Sequence, residues 1–254
     1  MESLKNKNVL ITGASSGIGE ACARAFADEG ANLIICARRI ERLESLRNEF
    51  PDSEILVLQM DVTLLDDVNA KIESIPDKFL PLDILVNNAG LSRGLTNIQE
   101  GDIADWEEMI DTNIKGLLYV TRKIIPVMVE RDSGHIINIG SIAGHEVYPM
   151  GNVYAATKHA VFALSKGMKM DVLGSKVRVS SVDPGLVETE FSLVRFRGDQ
   201  EKAGAVYEGI DPLTPEDIAE TVIFCATRSP HVNISNVIML STDQAAAIMV
   251  HRKA

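Results

Sequence analysis

Cysteine, basic residues and long apolar runs are all scarce in this chain of 254 residues. Its three cysteines, Cys22, Cys36 and Cys225, are odd in number and far apart, which predicts neither a disulfide framework nor a metal cluster. The five histidines lack HExxH-like spacing, so we expect no catalytic metal. No run reaches the roughly 18 apolar residues of a membrane span, and the first residues lack a signal peptide's apolar stretch. We therefore expect a cytoplasmic protein.

The charge balance also excludes some partners. Lysine and arginine number 25 against 36 acidic residues, which gives a formal net charge of −11. This negative net charge disfavours binding to nucleic acid or to an anionic membrane, because both repel it. Local basic pockets remain compatible with this balance.

Hydrophobic residues make up 46% of the chain, enough to bury a substantial core, and they alternate between two patterns. Strand-like apolar runs occur at 9–11, 33–36, 55–58, 84–86, 135–139, 177–182 and 237–240. Helical patterns occur between them at about 20–29, 39–49, 64–75, 103–131, 152–173 and 215–228. This alternation predicts an α/β fold, a doubly wound Rossmann-type arrangement in which helices cover both faces of a seven-stranded parallel sheet. No linker or repeat interrupts it, so we predict one domain spanning 1–254.

One long irregular stretch interrupts the pattern at about 187–213. A loop of this length within a compact domain is usually either a functional lid or a disordered segment. We predict that it is a lid over the substrate.

A glycine-rich loop separates the first strand from the first helix. It reads Thr12-Gly13-Ala14-Ser15-Ser16-Gly17-Ile18-Gly19. Glycines there let the backbone turn tightly and approach a pyrophosphate at the helix N-terminus, whereas the alternative is a plain turn. The position of the loop favours dinucleotide binding, with Gly13, Ser15, Ser16, Gly17, Ile18 and Gly19 as cofactor contacts.

The second strand ends in Ala37-Arg38-Arg39, where an NAD site usually carries an acidic residue. Ala37 removes the repulsion of a 2′-phosphate, and either arginine can donate charge-assisted hydrogen bonds to it. We therefore predict NADP(H) as cofactor, with Arg38 the better candidate because it comes first after the strand. The alternative is a solvated basic turn at the start of the next helix.

Tyr154 and Lys158 are four residues apart in a predicted helix, so their side chains share one face. A cation near a phenol favours the phenolate and brings the phenol closer to acid–base work at neutral pH. Such a pair also arises by chance, as an exposed aromatic ring along a lysine side chain. Its context has to decide.

The sequence resembles the short-chain dehydrogenase/reductase family over nearly its whole length. The motifs that carry the resemblance, in order, are the glycine loop, Asp61-Val62, Asn87-Asn88-Ala89-Gly90, Asn113, Ser141, Tyr154 with Lys158, and Pro184-Gly185. So many motifs in the correct order make the resemblance specific.

The resemblance implies four catalytic residues. Tyr154 would exchange a proton with the substrate oxygen, and Lys158 would lower the pKa of the phenol and hold the nicotinamide ribose. Ser141 would donate a hydrogen bond to the same substrate oxygen, and Asn113 would support a water chain from Lys158. The alternative role for Asn113 is structural: a polar side chain inside a helix that hydrogen-bonds a backbone carbonyl.

The resemblance also implies further cofactor contacts, although a buried asparagine or a Pro-Gly turn has ordinary structural uses as well. Besides the glycine loop, Arg38, Arg39, Tyr154 and Lys158, these contacts are Asp61, Val62, Asn87, Ala89, Gly90, Pro184, Gly185, Val187 and Thr189.

Several segments resemble a narrower branch, the NADP-dependent 3-hydroxy acid dehydrogenases. They are 106–113, 151–154, 190–196 and 250–252. This resemblance implies oxidation of the 3-hydroxyl of serine, allo-threonine or 3-hydroxypropionate, or reduction of the corresponding carbonyl. It also implies a homotetramer built through the helical segments 103–131 and 152–173, which could equally cover their own sheet.

A small acid requires a cation to hold its carboxylate, and the predicted lid supplies Arg195 and Arg197. A guanidinium can bind a carboxylate through two parallel hydrogen bonds. We predict that Arg195 binds the substrate together with Ser141 and Tyr154. The alternative is a structural ion pair of Arg195 with Glu188, Glu190 or Asp199.

Two other functions remain open at this point. The same chemistry could act on a 3-oxoacyl thioester or a xenobiotic ketone. A non-catalytic module that senses NADP(H) is a further alternative, because fold alone does not fix function.

Overall fold

The computed structural model describes residues 2–253. Its strands are β1 (Asn8–Thr12), β2 (Asn32–Ala37), β3 (Ile55–Gln59), β4 (Ile84–Asn87), β5 (Gly134–Ile139), β6 (Val177–Pro184) and β7 (Asn236–Met239). All pair in parallel, in the order β3-β2-β1-β4-β5-β6-β7. The predicted seven-stranded doubly wound sheet is confirmed.

The helices lie between the strands, most of them where the sequence pattern predicts. They are α1 (Gly17–Asp28), α2 (Ile40–Asn48), α3 (Leu65–Glu73), α4 (Ile103–Ile110), α5 (Leu117–Glu130), α6 (Asn152–Asp171), α7 (Phe191–Arg195), α8 (Gln200–Ala205) and α9 (Pro215–Ala226). A π-helical turn, Asp111–Gly116, joins α4 to α5, so the predicted 103–131 helix is continuous but locally widened. Within residues 2–253, no helix is both long and apolar enough to cross a membrane.

Two apolar layers bury the two faces of the sheet. Val9 and Ile11 of β1 pack with α1, α2 and α9, whereas Leu10 packs on the opposite face with α3, α5 and α6. Successive side chains of a strand point to opposite faces, so both faces of these short runs must be apolar. This explains why the strands read as continuous apolar stretches.

The order in which successive strands are added to the sheet reverses at β1. The strands β2 and β3 lie on one side of β1, and β4 to β7 lie on the other. In open parallel sheets, ligands bind at such a switch point, outside the carboxyl ends of the strands. The glycine loop after β1 and the Asn87–Gly90 turn after β4 meet there.

The 187–213 segment is less irregular than the sequence predicts, because it contains α7 and α8. The Asp199 side chain accepts a hydrogen bond from the backbone N–H of Lys202 and so caps α8. The apolar residues of α7 pack against Tyr154 and its neighbours in a third, smaller cluster. Helices of five and six residues are too short to show a helical periodicity, so the pattern missed them.

Candidate active site

A cavity of about 950 Å³ opens at the carboxyl ends of the central strands. Most of the predicted site residues line it: Gly13, Ser15, Ser16, Gly17, Ile18, Arg38, Arg39, Asp61, Val62, Ala89, Gly90, Ser141, Tyr154, Lys158, Pro184, Gly185, Val187, Thr189 and Arg195. The structure thus brings together residues from nearly the whole chain. Gly19, Asn87 and Asn113 lie behind the wall of the cavity.

Gly19 and Asn87 support the cavity wall from the side of the protein core. The Asn87 amide donates hydrogen bonds to Thr121 Oγ1 and Asn138 Oδ1, each at 2.9 Å, within the core. A Cβ at position 19 would lie 2.3 Å from Asn88 Nδ2, so glycine is needed for α1 to pack this closely. The side chain of Asn87 therefore shapes the site from behind, and its contact with the cofactor stays a prediction.

The glycine loop has the form of a dinucleotide cradle. Gly13 and Gly17 adopt φ values of +67° and +55°, which favour glycine. A Cβ at Gly13 would come within 2.9 Å of the Ala89 Cα, so the loop lies directly against the turn after β4. The Ser16 side chain makes no capping hydrogen bond at the start of α1. The first N–H groups of this helix are thereby free to bind an anion such as a pyrophosphate.

Tyr154 and Lys158 both lie on α6 and both are buried, at 8% and 6% exposure. Lys158 Nζ donates a 3.0 Å hydrogen bond to the Ile139 carbonyl and lies 6.0 Å from the centre of the Tyr154 ring. Burial lowers the pKa of Lys158 to about 8, against the opposing effect of the Asp183 charge. The lysine is therefore close to losing its proton at neutral to mildly alkaline pH.

The charge environment of Tyr154 differs from the predicted one. Burial raises the pKa of the phenol, and the charge of Arg195 followed by the Ser141 hydroxyl opposes that rise. The Arg195 guanidinium carbon lies 5.3 Å from the centre of the Tyr154 ring. In this structure, Arg195 is the cation whose charge opposes the rise in the pKa of Tyr154, and it lies in the 187–213 segment and not on α6.

Ser141 follows β5 and begins a short 3₁₀ turn, Ile142–Gly144. Its hydroxyl accepts a 3.1 Å hydrogen bond from the Ala143 N–H and donates to the Pro184 carbonyl at 3.4 Å. The turn is anchored by His145, whose Nε2 lies 2.5 Å from the buried carboxylate of Asp183. These contacts fix the Ser141 hydroxyl at the cavity wall next to the phenol of Tyr154.

Asn113 lies in the π-helical turn and clamps two segments together. Its Oδ1 accepts from the Leu91 N–H, and its Nδ2 donates to the Leu91 carbonyl, both at 2.8 Å. Nδ2 also donates to Thr157 Oγ1 at 3.0 Å. The wider π turn places this amide between the loop after β4 and α6, so Asn113 holds the helix that carries Tyr154 and Lys158.

The backbone of Arg195 is hydrogen-bonded to a neighbouring loop. Its side chain has no acidic partner among residues 2–253. The N–H of Gly94 donates to the Arg195 carbonyl at 2.9 Å, which ties α7 to the loop after β4. Glu190 pairs with Arg39 and Arg42, Asp199 pairs with Lys202, and Glu188 forms no ion pair within residues 2–253, so none of the three alternative ion pairs of Arg195 forms. The Arg195 Nε is buried without a hydrogen-bond partner, and one Nη lies 3.4 Å from the Tyr148 hydroxyl.

Several lining residues were absent from the prediction. They are Arg93, Tyr148, Phe191, Tyr207, Gln244, Ala247 and Ile248, with other neighbours. Arg93 pairs with Glu108 and donates to the Val194 carbonyl, so it fastens α7 to α4. Phe191 and Tyr207 stand in segments that the sequence analysis singled out, 190–196 and 187–213, and long-range packing places the others at the cavity.

Comparison with known proteins gives four consistent results. The sequence model of the short chain dehydrogenase family matches residues 7–199. An NADP-dependent 3-hydroxy acid dehydrogenase of Salmonella typhi is 49% identical over 246 residues, which cover 96% of this chain and 99% of the relative. A serine 3-dehydrogenase of Rhizobium radiobacter is 41% identical and covers 97% of this chain and 98% of its own length. A solved closed form of serine dehydrogenase complexed with NADP⁺ has a TM-score of 0.92 and 45% identity, covering 96% and 99% of the two chains.

The fold and the site together define an oxidoreductase built on a dinucleotide-binding sheet. The chain belongs to the short chain dehydrogenase family. The resemblance identified from the sequence motifs is confirmed.

Proposed function

We propose that this protein is an NADP(H)-dependent dehydrogenase that acts on the 3-hydroxyl of small 3-hydroxy acids, or on the carbonyl of the corresponding oxo acids. The predicted cofactor is confirmed by relatives named NADP-dependent and by the similar structure complexed with NADP⁺. Family membership makes the chain an oxidoreductase that acts on hydroxyl groups. The choice of 3-hydroxy acids as substrates rests on the site itself, with serine, allo-threonine and 3-hydroxypropionate as the candidates.

The observation that carries this proposal is the position of Arg195. Arg195 is half-buried and its Nε is fully buried, so its charge is partly removed from water, which is costly without a compensating anion. An incoming carboxylate supplies that anion and can accept two parallel hydrogen bonds. Arg195 lies beside Tyr154, so a bound carboxylate would place the hydroxyl of a short acid near the phenol.

The chain's own residues then divide the work. When bound, NADP(H) supplies the hydride acceptor or donor. Tyr154 gives or takes the proton at the substrate oxygen, and the Ser141 hydroxyl holds that oxygen beside the phenol. Lys158 carries positive charge close to the reacting groups, and Asn113 keeps α6 in place.

The 187–213 segment is proposed to be the lid of this site. It supplies Phe191 and Arg195 to the cavity wall, and Arg93 and Arg197 attach it to α4 through Glu108 and Asp105. The cofactor is proposed to bind along the glycine loop, with its 2′-phosphate at Arg38 and Arg39. Both arginines line the cavity, which supports that assignment.

A substrate panel tests the proposal. NADPH formation should be followed with serine, allo-threonine, 3-hydroxypropionate and 3-hydroxybutyrate, with NAD as the control cofactor. The methyl ester of 3-hydroxybutyrate keeps the hydroxyl and removes the carboxylate charge, so it is the matched control. We expect kcat/KM to be at least about tenfold higher for the acid than for the ester, consistent with a desolvated ion pair.

The alternatives give different results in the same panel. Equal rates for acid and ester, or faster reduction of a 3-oxoacyl thioester, would move the assignment to a carbonyl reductase of another class. Tight NADPH binding with no turnover of any substrate would indicate a sensing module.

Assembly and location stay predictions from the sequence. A homotetramer is supported by exposed apolar side chains on α5, where Leu118, Val127 and Val129 are 37%, 52% and 41% exposed. A single domain spanning 1–254 and a cytoplasmic location are likewise proposed.

A further inference from the structure

The carboxylate of Glu190 bridges the base of α7 to two arginines on the far side of the cofactor cleft. Arg42 Nη1 donates to both carboxylate oxygens, at 2.8 and 2.9 Å, and Arg39 Nη1 donates to Oε2 at 3.1 Å. The hydrogen bonds from Arg42 and then Arg39 lower the pKa of Glu190, so the carboxylate is charged at neutral pH. All three side chains are more than a third exposed.

Arg39 is also bound to the glycine loop. Its Nε and Nη2 lie 3.3 and 3.2 Å from Ser15 Oγ, and Nη2 donates to Ser16 Oγ at 2.8 Å. A guanidinium has five N–H donors on one planar group. Glu190 and the two serines use four of these donors and leave one N–H on Nη1, whereas a phosphate gripped by a guanidinium takes two hydrogen bonds.

Arg38 provides the contrast. Its side chain lines the same cavity but donates no hydrogen bond to any residue in the range 2–253. Arg38 can accept a phosphate without losing a partner. Arg39 can bind the same phosphate fully only when Glu190 gives up its hydrogen bond to Arg39.

We propose that Glu190 is a specificity-determining residue whose carboxylate competes with the cofactor's 2′-phosphate for Arg39. This inference rests on the proposed binding of the 2′-phosphate at Arg38 and Arg39. NADP(H) must displace Glu190 from Arg39, whereas NAD(H) carries a hydroxyl at that position and leaves the ion pair intact. Glu190 thus limits the affinity for NADP(H) and favours its release, and product release limits the turnover rate of many enzymes with closing lids.

The test is a comparison of Glu190→Gln with Glu188→Gln. Glu188 lies two residues earlier, is exposed, and forms no ion pair within residues 2–253, so its substitution changes the net charge equally without touching the arginines. The dissociation constants of NADPH and NADH should be measured by fluorescence titration in the absence of substrate. These binding constants stay interpretable even if every proposed substrate is wrong.

We expect Glu190→Gln to tighten NADPH binding about three- to tenfold, the effect of removing one or two exposed ion pairs. NADH binding should stay unchanged, and Glu188→Gln should leave both constants unchanged. The gain should shrink as ionic strength rises from about 0.01 to 1 M, because the screening length falls from about 30 to 3 Å. It should vanish in an Arg39→Gln background, which removes the shared partner.

Three results would overturn the proposal. Unchanged NADPH affinity in Glu190→Gln would show that the phosphate and Glu190 do not compete. Weaker NADPH binding would show that Glu190 orients the arginines for the phosphate. An equal gain in Glu188→Gln would show a general charge effect.

Discussion

The guanidinium of Arg195 lies over the ring of Tyr154, with 5.3 Å between the guanidinium carbon and the ring centre. The same group lies 5.1 Å from the ring of Phe191. The charge of Arg195 opposes the rise that burial causes in the pKa of the phenol, and in the proposed function the same charge binds the substrate carboxylate. Removing it should affect both substrate binding and the pH dependence of proton transfer.

Arg195→Ala should raise KM for 3-hydroxy acids by about ten- to a hundredfold, because the carboxylate loses its charge-assisted hydrogen bonds. Steady-state kinetics with 3-hydroxybutyrate and its methyl ester measure the effect, and KM for the ester should change little. Arg47→Ala is the control, since Arg47 is exposed on α2, pairs with Glu44 and does not line the cavity. An unchanged KM for the acids in Arg195→Ala would rule out the carboxylate clamp.

Lys158→Ala should weaken NADPH binding as well as turnover if the lysine holds the nicotinamide ribose in addition to supporting Tyr154. We expect a loss of affinity of about tenfold, measured by fluorescence titration, together with a larger loss of kcat. Lys166→Ala is the matched control, because Lys166 lies two turns further along α6 and is exposed. Full NADPH affinity in Lys158→Ala would contradict the double role.

Carbonyl reduction should slow as pH rises through about 8. The reaction in this direction needs Tyr154 with its proton and Lys158 with its charge, and burial lowers the pKa of Lys158 to about 8. Below that pH the lysine is charged, and above it the charge is lost. The fall of the pH–rate profile on its alkaline side (the alkaline limb) therefore reports the deprotonation of Lys158. Initial rates at saturating NADPH across the pH range measure the limb.

Asp183→Asn should move that limb to lower pH. The Asp183 carboxylate opposes the effect of burial on Lys158, so neutralising it lowers the pKa of the lysine further. A shift of one pH unit would reduce the rate on the limb about tenfold. Circular dichroism and NADPH binding show whether the variant folds, and a folded variant with an unmoved limb would contradict this coupling.

Gly140→Ala should destabilise the protein, whereas Gly167→Ala should stabilise it. A Cβ at position 140 would lie 1.9 Å from the Asp183 Oδ1, which accepts a hydrogen bond from Ser181 Oγ on a buried carboxylate that His145 and Asn236 hold through Oδ2, so the expected cost is about 1–3 kcal/mol. Position 167 lies inside α6 with no atom within 4 Å of the added Cβ, and alanine there should contribute roughly 0.5–1 kcal/mol. Thermal unfolding measures both, and equal melting temperatures would contradict the packing argument.

The sequence by itself determined the sheet, the order of its elements and the cofactor loop. Strand and helix periodicities are local properties, so apolar runs such as 135–139 and the helical pattern of 152–173 predict their elements to within about two residues. The glycine loop is equally local, since its φ angles and its place between β1 and α1 follow from adjacent residues. The spacing of Tyr154 and Lys158 follows from the helix alone.

Tertiary structure alone decided how the catalytic side chains are charged and held. Arg195 and Tyr154 are 41 positions apart by their residue numbers, and no periodicity relates the two. Contacts between residues distant in sequence also turn the Asn87 side chain into the core and let Asn113 hold the loop after β4. They likewise pair Glu190 with Arg39 and Arg42. Burial sets the pKa values of Tyr154 and Lys158, and burial is a property of the packed chain, so the sequence could name these residues but could not assign their charges.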